Sequence, residues 1–367
     1  MHGWPSASWP NVLQRSGRNV NAVLDKESWR YSERAWRALH AQEFSVANPA
    51  AALPDSLVAR FDWPETRARR IVFINGAPAT AHVAPAGIRL GDGEHLHLVF
   101  INMPGAQSAR WRLELPIAVD AGNAEVIEQH VGIEGADVLG EVASQVRVGS
   151  HARLRTTTIC ELPDSASLYR HERVEIASGG EHASTHALFG GRLQRFDLDV
   201  KMAGEQASYV SRGVFAPRGR QHIDVHLDAR HAARDTRSDV LWRGVADQRG
   251  RGILHGAITV AAGADGADAQ LQTKNLLLSP HAEIDAQPVL EIYTDEVKAS
   301  HGATVGQLDE RALFYLRSRG VPLSMARNLL IAGFCREAFG SVDNPELCAR
   351  LEATLIGRVP QADGGSP

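Results

Sequence analysis

The sequence has few cysteines. Its 367 residues contain three, Cys160, Cys335 and Cys348, and no two of them have the CxxC spacing of a zinc ribbon or a ferredoxin-type iron–sulfur site. An odd and sparse set also argues against a disulfide framework. We therefore expect these cysteines to behave as small apolar side chains in the core.

Other absences exclude whole classes of protein. No apolar stretch approaches the roughly 20 residues that a membrane-spanning helix needs, and the first residues lack the basic and apolar parts of a signal peptide. A net charge of -4 without a basic run, and only 6% aromatic residues, argue against a nucleic-acid-binding protein. We expect a soluble, cytoplasmic protein that is long enough for two or three domains.

The first part of the chain, residues 1–95, has mixed character and is assigned to an N-terminal mixed or helical region. A short helix is predicted at 28–40. The residues expected near one face of this helix are Tyr31, Ala35, Ala38 and Leu39. A proline-rich connector at 48–54 and short strands at 71–75 and 88–90 follow.

Residues 96–305 contain many strand-length runs and almost no helical periodicity. The clearest run is 221–230, in which apolar and polar side chains alternate as in a strand with one buried face. Its apolar members are Ile223, Val225, Leu227 and Ala229. The ten predicted strands are 96–101, 111–119, 124–131, 152–160, 168–177, 193–202, 207–216, 221–230, 252–260 and 269–278.

Short polar breaks followed by alanine recur through this region. The alanines are Ala183, Ala207, Ala232, Ala257 and Ala282, at steps of 24 or 25 residues. A repeat of that length suits one turn of a stacked β-solenoid, in which a turn buries its inner face only against its neighbours. A β-sandwich of short strands would give a similar pattern. The residues alone favour the solenoid and leave the sandwich open.

Residues 306–359 predict a C-terminal helical domain. Asp309 is expected to cap a helix that runs to Arg319 and stops at Gly320. Ser324 is expected to cap a second helix, from 325 to about 339, and Asn344 and Pro345 open a third. The residues expected on one face of the third helix are Leu347, Leu351 and Leu355. The tail at 360–367 is expected to be disordered.

A polar segment at 298–302 lies where the strand pattern gives way to the helical one. We expect a turn there, with His301 held by backbone on both sides, which is a useful position for a metal ligand. The alternative is a turn histidine that hydrogen-bonds to the backbone before Gly302.

The segments around this histidine resemble the C-terminal signature of the SufB/SufD family. They are 275–279, 284–288, 290–293, 295, 297–298, 300–306 and 313–320. Near the other end, 27–32 is similar to the E-x-W-[RK]-Y-[ST] element found early in SufD chains. The modest length and the lack of clustered cysteines favour the SufD branch over SufB.

The resemblance implies a mainly β fold, a right-handed parallel β-helix flanked by N-terminal mixed or helical and C-terminal helical regions. It also implies a non-catalytic scaffold that pairs with a SufB-like subunit through the β-helix and binds a SufC-like ABC ATPase, which hydrolyses ATP, through its C-terminal helices. The cargo would be a transient iron–sulfur cluster at the SufB interface, with none bound stably by the lone chain. An unpaired sheet edge would invite a homodimer when the partner is missing.

The resemblance also assigns site residues. His301 falls on the SufD histidine implicated as a cluster ligand. Some relatives carry cysteine just before the serine of this element, whereas this chain has Ala299, so no thiolate from that position can hold iron. The candidates for the surface that meets the ATPase are Arg317, Arg319, Arg327 and Arg336. For Arg317 and Arg319 the alternative is a helix C-terminus whose positive charges complement the helix dipole. For Arg327 and Arg336 the alternative is ordinary solvation.

A second function stays open at this point, a β-helix carbohydrate-active enzyme such as a polysaccharide lyase or hydrolase. It would need paired carboxylates or a calcium site on one face, and Asp224 and Asp228 share a face. The histidines of the same region, His222, His226, His231 and His255, are expected on a solvated or partner-facing surface. His222 and His226 would be roughly 13 Å apart, too far for one metal ion.

Overall fold

The computed structural model describes residues 30–46, 68–79, 87–340, 342 and 344–358. The connector at 48–54, the first residues of the E-x-W element (27–29) and the tail at 360–367 lie outside the described residues. No helix in the described ranges is both long and apolar enough to cross a membrane.

The fold is mainly β, with two sheets. Sheet I consists of β1 (Ser45–Val46), β4 (Ile88–Leu90), β6 (Ala109–Val119), β8 (Val138–Val148), β10 (Ser167–Ile176), β12 (Leu193–Met202), β14 (His222–His231), β16 (Arg251–Val260) and β18 (Glu283–Ile292). Sheet II consists of β2 (Arg69–Ile74), β3 (Ala77–Pro78), β5 (Glu94–Asn102), β7 (Asn123–Gly132), β9 (Arg153–Leu162), β11 (Glu181–Gly190), β13 (Ser208–Ala216), β15 (Arg237–Ala246), β17 (Ala267–Leu277) and β19 (Val297–Gly306).

These two sheets are the walls of one parallel solenoid of about eight turns. From β5 onward, consecutive strands alternate between the sheets, and each strand pairs in parallel with the strand two positions later. A β-sandwich joined by hairpins would instead place antiparallel neighbours in each sheet. The predicted solenoid is therefore confirmed, and the sandwich is excluded.

The turn length of 24 or 25 residues that was predicted from the alanine spacing was wrong. Ser167, Leu193, His222, Arg251 and Glu283 occupy equivalent positions in successive turns, so a turn takes 26 to 32 residues. The alanines do not share a position, since some lie inside strands and others in the breaks between them. Turn length varies because the loops at the solenoid corners vary, and a common residue such as alanine recurs at 25 residues by chance.

Alternate residues of each strand point into the solenoid and form one continuous apolar core. In β14, Ile223, Val225, Leu227 and Ala229 are at most 1% exposed, which confirms the predicted alternation. Each turn covers the inner residues of its neighbours, as stacking requires. The outward-facing Asp224 is also buried, because helix α1 (Glu33–His40) covers that part of sheet I.

The contacts of α1 differ from the predicted face. Trp36 and Leu39 are buried and pack beside Tyr169, with the Trp36 and Tyr169 rings 5.3 Å apart. Ala38, which was predicted on the buried face, is exposed. The helix begins at Glu33 rather than near 28, and Tyr31 lies in the turn before it.

Three helices follow the solenoid: α2 (Glu310–Ser318), α3 (Leu323–Phe339) and α4 (Pro345–Arg358). The Asp309 side chain accepts from the backbone of Arg311 at 2.8 Å, which confirms the predicted cap, and Gly320 has a φ of 85° just beyond the helix end. Asn344 caps α4 through the backbone of Glu346 at 3.0 Å. The predicted cap at Ser324 was wrong, because α3 begins at Leu323, two residues earlier than predicted, directly after Pro322.

The helices α3 and α4 pack on the outer face of sheet II. The apolar residues that join them are Phe189, Val214, Leu241 and Val245 from the sheet, and Ile331, Cys335, Phe339, Leu347, Leu351 and Leu355 from the helices. Cys160 and Cys335 are buried, as predicted, and Cys348 is half-buried. This interface anchors the helical unit on strands β11, β13 and β15 of sheet II.

Candidate functional site at the last turn of the solenoid

His301 lies in the middle of β19, the last strand of sheet II, and not in a turn. The ladder with β17 runs unbroken from Val297 to Gly306, with Leu271 opposite His301. The predicted turn at 298–302 was wrong for this reason. No strand of the described residues pairs with the other edge of β19, and His301 is exposed.

The register places His301 at the mouth of the solenoid interior. Register partners of a parallel ladder project to the same side, and His301 continues the column formed by the buried Val240 and Leu271. The column ends at His301 because β19 is the last strand. An imidazole at this position faces whatever covers the open end of the core.

The rest of the last turn is also uncovered. Ile292, Tyr293 and Val305 are 40%, 62% and 46% exposed. The edges of β18 and β19 carry backbone groups that another chain can pair with, and apolar residues beside such edges are typical of a protein interface. The strand β19 is held from below by Asn275, whose side-chain amide donates to the Thr304 carbonyl at 3.1 Å.

A groove of about 370 Å³ lies on the outer face of sheet II beside β19. Its walls include Arg212, Asp239, Gln272, Ser300, Gly302 and Glu337. Both carboxylates are paired with arginines, since Arg212 contacts Asp239 and Arg243 contacts Glu337, each at 2.5 Å. Within the described residues, no three His, Cys, Asp or Glu side chains converge as ligands for a metal ion.

A second exposed surface is formed by α2 and the start of α3. Phe314, Tyr315, Met325 and Leu329 are between 53% and 73% exposed, and Leu313 is the one buried residue of α2. This much apolar area on a small helical unit is a recognisable interaction surface.

The structure brings two of the predicted arginines to that surface. Arg317 and Arg319 are exposed at the end of α2, and the Arg319 guanidinium lies 3.6 Å from the centre of the Tyr315 ring. Arg327 is half-buried on α3. Arg336 is exposed but pairs with Glu352 of α4 at 3.0 Å, so it also ties the two helices together.

The predicted histidine surface is only partly correct. His226 and His255 stack, with ring centres 4.9 Å apart, and His222 contacts Ser32 at 2.9 Å. His231 was placed wrongly, because it points inward, is fully buried and bonds to Thr236 at 2.8 Å. Burial lowers the pKa of His222 and of His231 to about 4.

Asp224 and Asp228 do not form a pair of acids in a cleft. Asp224 is fully buried and binds Arg195 at 2.7 Å, with Ser32 of the α1 segment on the same carboxylate. Burial raises the pKa of this carboxyl, but Arg195, His226 and Ser32 together outweigh burial and hold the pKa well below its usual range. Asp228 is exposed to solvent. The arrangement anchors α1 and lacks the facing carboxylates of a glycoside hydrolase.

Sequence reasoning missed the buried Arg243, which links the helical unit to sheet II. Arg243 is 2% exposed although it points away from the solenoid core, and it contacts Glu337 of α3. The strand β15 that carries it was not among the ten predicted strands. No local signal distinguishes this arginine from a solvated one, because its partner lies 94 positions away in the sequence.

These features define a class: a parallel β-solenoid with an open last turn and a helical unit on one wall. A model of the family described as "SUF system FeS cluster assembly, SufBD core domain" matches residues 106–334. The chain belongs to this SufBD family, which confirms the resemblance read from its segments.

Relatives of known name agree with this assignment. The iron–sulfur cluster assembly protein SufD of Escherichia coli is 29% identical over 253 residues, which cover 69% of this chain and 60% of that protein. An iron–sulfur cluster assembly SufBD family protein of Mycobacterium tuberculosis is 30% identical over 246 residues, which cover 64% of this chain and 60% of that protein. The chain thus spans about 60% of the length of these relatives.

Proposed function

We propose that this chain is a non-catalytic scaffold subunit of a SufBCD-type complex that assembles iron–sulfur clusters. The observation that carries the proposal is the exposed edge strand β19, with His301 at its centre and in register with the core column. Membership of the SufBD family supports the cluster-assembly role.

The last turn is the proposed contact with a SufB-like subunit. The free edges of β18 and β19 can extend a sheet into a partner solenoid, and Ile292, Tyr293 and Val305 supply apolar area beside them. The same edges can pair two copies of this chain when the partner is absent. This pairing would cover His301 and remove it from bulk water.

His301 is the proposed ligand that this chain contributes to a nascent cluster. A neutral imidazole donates a nitrogen lone pair to iron. Ala299 supplies no ligand, and iron in such clusters takes several donors. The remaining donors would come from the partner across the seam, so the cluster is transient cargo and not a resident cofactor.

The exposed surface of α2 and α3 is the proposed site for a SufC-like ABC ATPase. Phe314, Tyr315 and Met325 offer an apolar centre, and Arg317 and Arg319 lie beside it. Interfaces of this kind combine aromatic anchors with arginine at the edge. ATP hydrolysis would take place in the partner.

Co-expression with a SufB-like and a SufC-like protein tests the proposal. We expect both to co-purify with the chain, and Phe314→Ala with Tyr315→Ala to release the ATPase while the SufB-like subunit stays bound. Failure of the wild-type chain to retain either partner would refute the scaffold role.

The role of His301 is tested by His301→Ala in the assembled complex. We expect the complex to form normally and to build less cluster, measured by its visible absorption and by iron and sulfide content. His281→Ala, at an exposed turn outside the seam, is the matched control. Wild-type cluster yield in His301→Ala would remove the ligand role and leave the pairing untouched.

A further inference from the structure

Arg243 is an unusual residue for the interface between sheet II and α3. Its neighbours there are apolar, among them Leu241, Val245 and Phe334, whose ring centre lies 5.6 Å from the guanidinium. The side chain is nevertheless 2% exposed. A buried cation is costly unless it is paired and hydrogen-bonded, so its partners determine where the surrounding elements can lie.

The partners of Arg243 come from both sides of the interface. Its Nη2 donates to Glu337 of α3 at 2.5 Å and to the side-chain carbonyl of Gln272 in β17 at 3.3 Å. Its Nη1 donates to the carbonyl of Trp242 at 3.1 Å. One guanidinium group thus holds the helix and the neighbouring strand at the same time.

The contact with Gln272 leads directly to the candidate site. Gln272 is the register partner of Gly302 in β19, the residue that follows His301. Gln272, Gly302 and Glu337 also line the same groove. A continuous series of contacts therefore runs from α3 through Arg243 and β17 to the strand that carries His301.

We propose that Arg243 is a positioning residue that couples the placement of α3 to the order of β19 next to His301. The biological purpose of this coupling rests on the proposed function, in which an ATPase binds the helical unit. The coupling itself is a property of the lone chain. If α3 shifts, Arg243 loses its carboxylate, releases Gln272, and leaves β19 with the backbone ladder and Asn275 as its supports.

Hydrogen exchange of the purified chain, followed by mass spectrometry, tests the coupling. We expect Glu337→Gln to speed exchange of the β19 peptide about tenfold, since local opening free energies set exchange rates. Exchange in β11 and β13 should stay unchanged. Asp239→Asn is the matched control: it removes the same charge from the same groove, but Asp239 pairs with Arg212 of the neighbouring strand in sheet II rather than with a residue of α3.

A double-mutant cycle separates coupling from simple loss of stability. If Arg243 transmits the effect, Glu337→Gln and Gln272→Ala should each speed β19 exchange, and the double variant should exchange no faster than the more severe single variant. Additive effects would mean independent sites and would overturn the proposal. So would equal effects of Glu337→Gln and Asp239→Asn, or an unchanged β19 peptide in Glu337→Gln.

The same variants distinguish this inference from the proposed function. Binding of the ATPase depends on the exposed surface of α2 and α3, which Glu337→Gln leaves intact. Protection of β19 that depends on Glu337 without any ATPase binding would support the coupling and reject the scaffold role. If the ATPase binds but hydrogen exchange of β19 does not depend on Glu337, the scaffold role is supported and the coupling is rejected.

Discussion

The interior of the solenoid contains a buried ion network whose removal gives a sharp prediction. Arg170 of β10 is 2% exposed and joins Glu128 of β7, across the core, to Glu172 of its own strand. The Arg170 bonds measure 2.8 and 2.9 Å to Glu128 and 2.7 Å to Glu172, and Ser144 accepts a further bond at 2.6 Å. Every charge in this network is paired.

We expect Arg170→Met to lower the free energy of unfolding by about 3–5 kcal/mol, the usual cost of breaking a buried ion pair by removing one partner. Burial raises the pKa of Glu128, but Arg170 and His130 together outweigh burial and hold the pKa at about 2. Without the guanidinium, the Glu128 and Glu172 carboxylates lose their shared counter-ion in the core, and His130 is left as the ring partner of Glu128.

Urea denaturation followed by circular dichroism gives the measurement, with Arg153→Met as the matched control. Arg153 and Glu181 are 3.0 Å apart but 63% and 49% exposed, so losing this surface pair should cost less than about 1 kcal/mol. Replacing all three interior charges, by Glu128→Gln, Arg170→Met and Glu172→Gln, should recover most of the loss, because no unpaired charge remains.

Acidification provides a second check on the same reasoning. In Arg170→Met the buried carboxyls have lost their cation, so in the folded variant they should bind protons at a higher pH than the same carboxyls do in the unfolded chain. The free energy of unfolding of the variant should therefore move closer to that of the wild type as pH falls from about 8 to about 5. Equal destabilisation by Arg170→Met and Arg153→Met would refute the claim that this network carries stability.

Three further predictions follow from the structure. Burial lowers the pKa of His182 and His186 from 6.5 to about 4. Between pH 6.5 and about 4 the unfolded chain therefore binds more protons than the folded one, and the free energy of unfolding should fall as pH drops through this range. In urea titrations, His186→Phe should flatten this dependence. A Cβ on Gly213 would lie 2.3 Å from the Trp242 ring, so Gly213→Ala should cost about 1–3 kcal/mol by overpacking, whereas Gly333→Ala, which meets nothing within 4 Å, should not destabilise. Ser32→Ala removes the contacts to Asp224 and His222 and should cost about 1 kcal/mol, with faster hydrogen exchange confined to α1; unchanged exchange there would contradict the anchoring role.

Local sequence was sufficient for some parts of the fold. Alternation predicted β14 because Ile223, Val225 and Leu227 face an apolar core while the other side of the strand is polar. Asp309 and Asn344 predicted helix starts because a cap depends only on the next few backbone amides. These features need no information from distant parts of the chain.

Other parts depend on contacts that local sequence does not encode. The strands β8, β11 and β15 were not predicted, and β11 shows why: its inward side chains include His182, Ser184 and His186, so it lacks an apolar stripe although it is buried. The helices α3 and α4 also cover the outer face of β11, where Ala187 and Phe189 are buried. A strand buried on both faces loses the alternation that identifies strands in sequence.

The location of His301 illustrates the same limit at the candidate site. The residues Ser300, His301 and Gly302 read locally as a turn, because small and polar residues favour turns. They form a strand because β17 presents a complete ladder to them, and Leu271 fixes which way His301 points. A turn histidine would be held by its own backbone, whereas His301 is held by the ladder to β17 and, in our proposal, depends on Arg243 through Gln272. The order of β19 around His301 should therefore respond to the position of the helical unit. A strand allows this response because its support lies on other elements, whereas a turn would support itself.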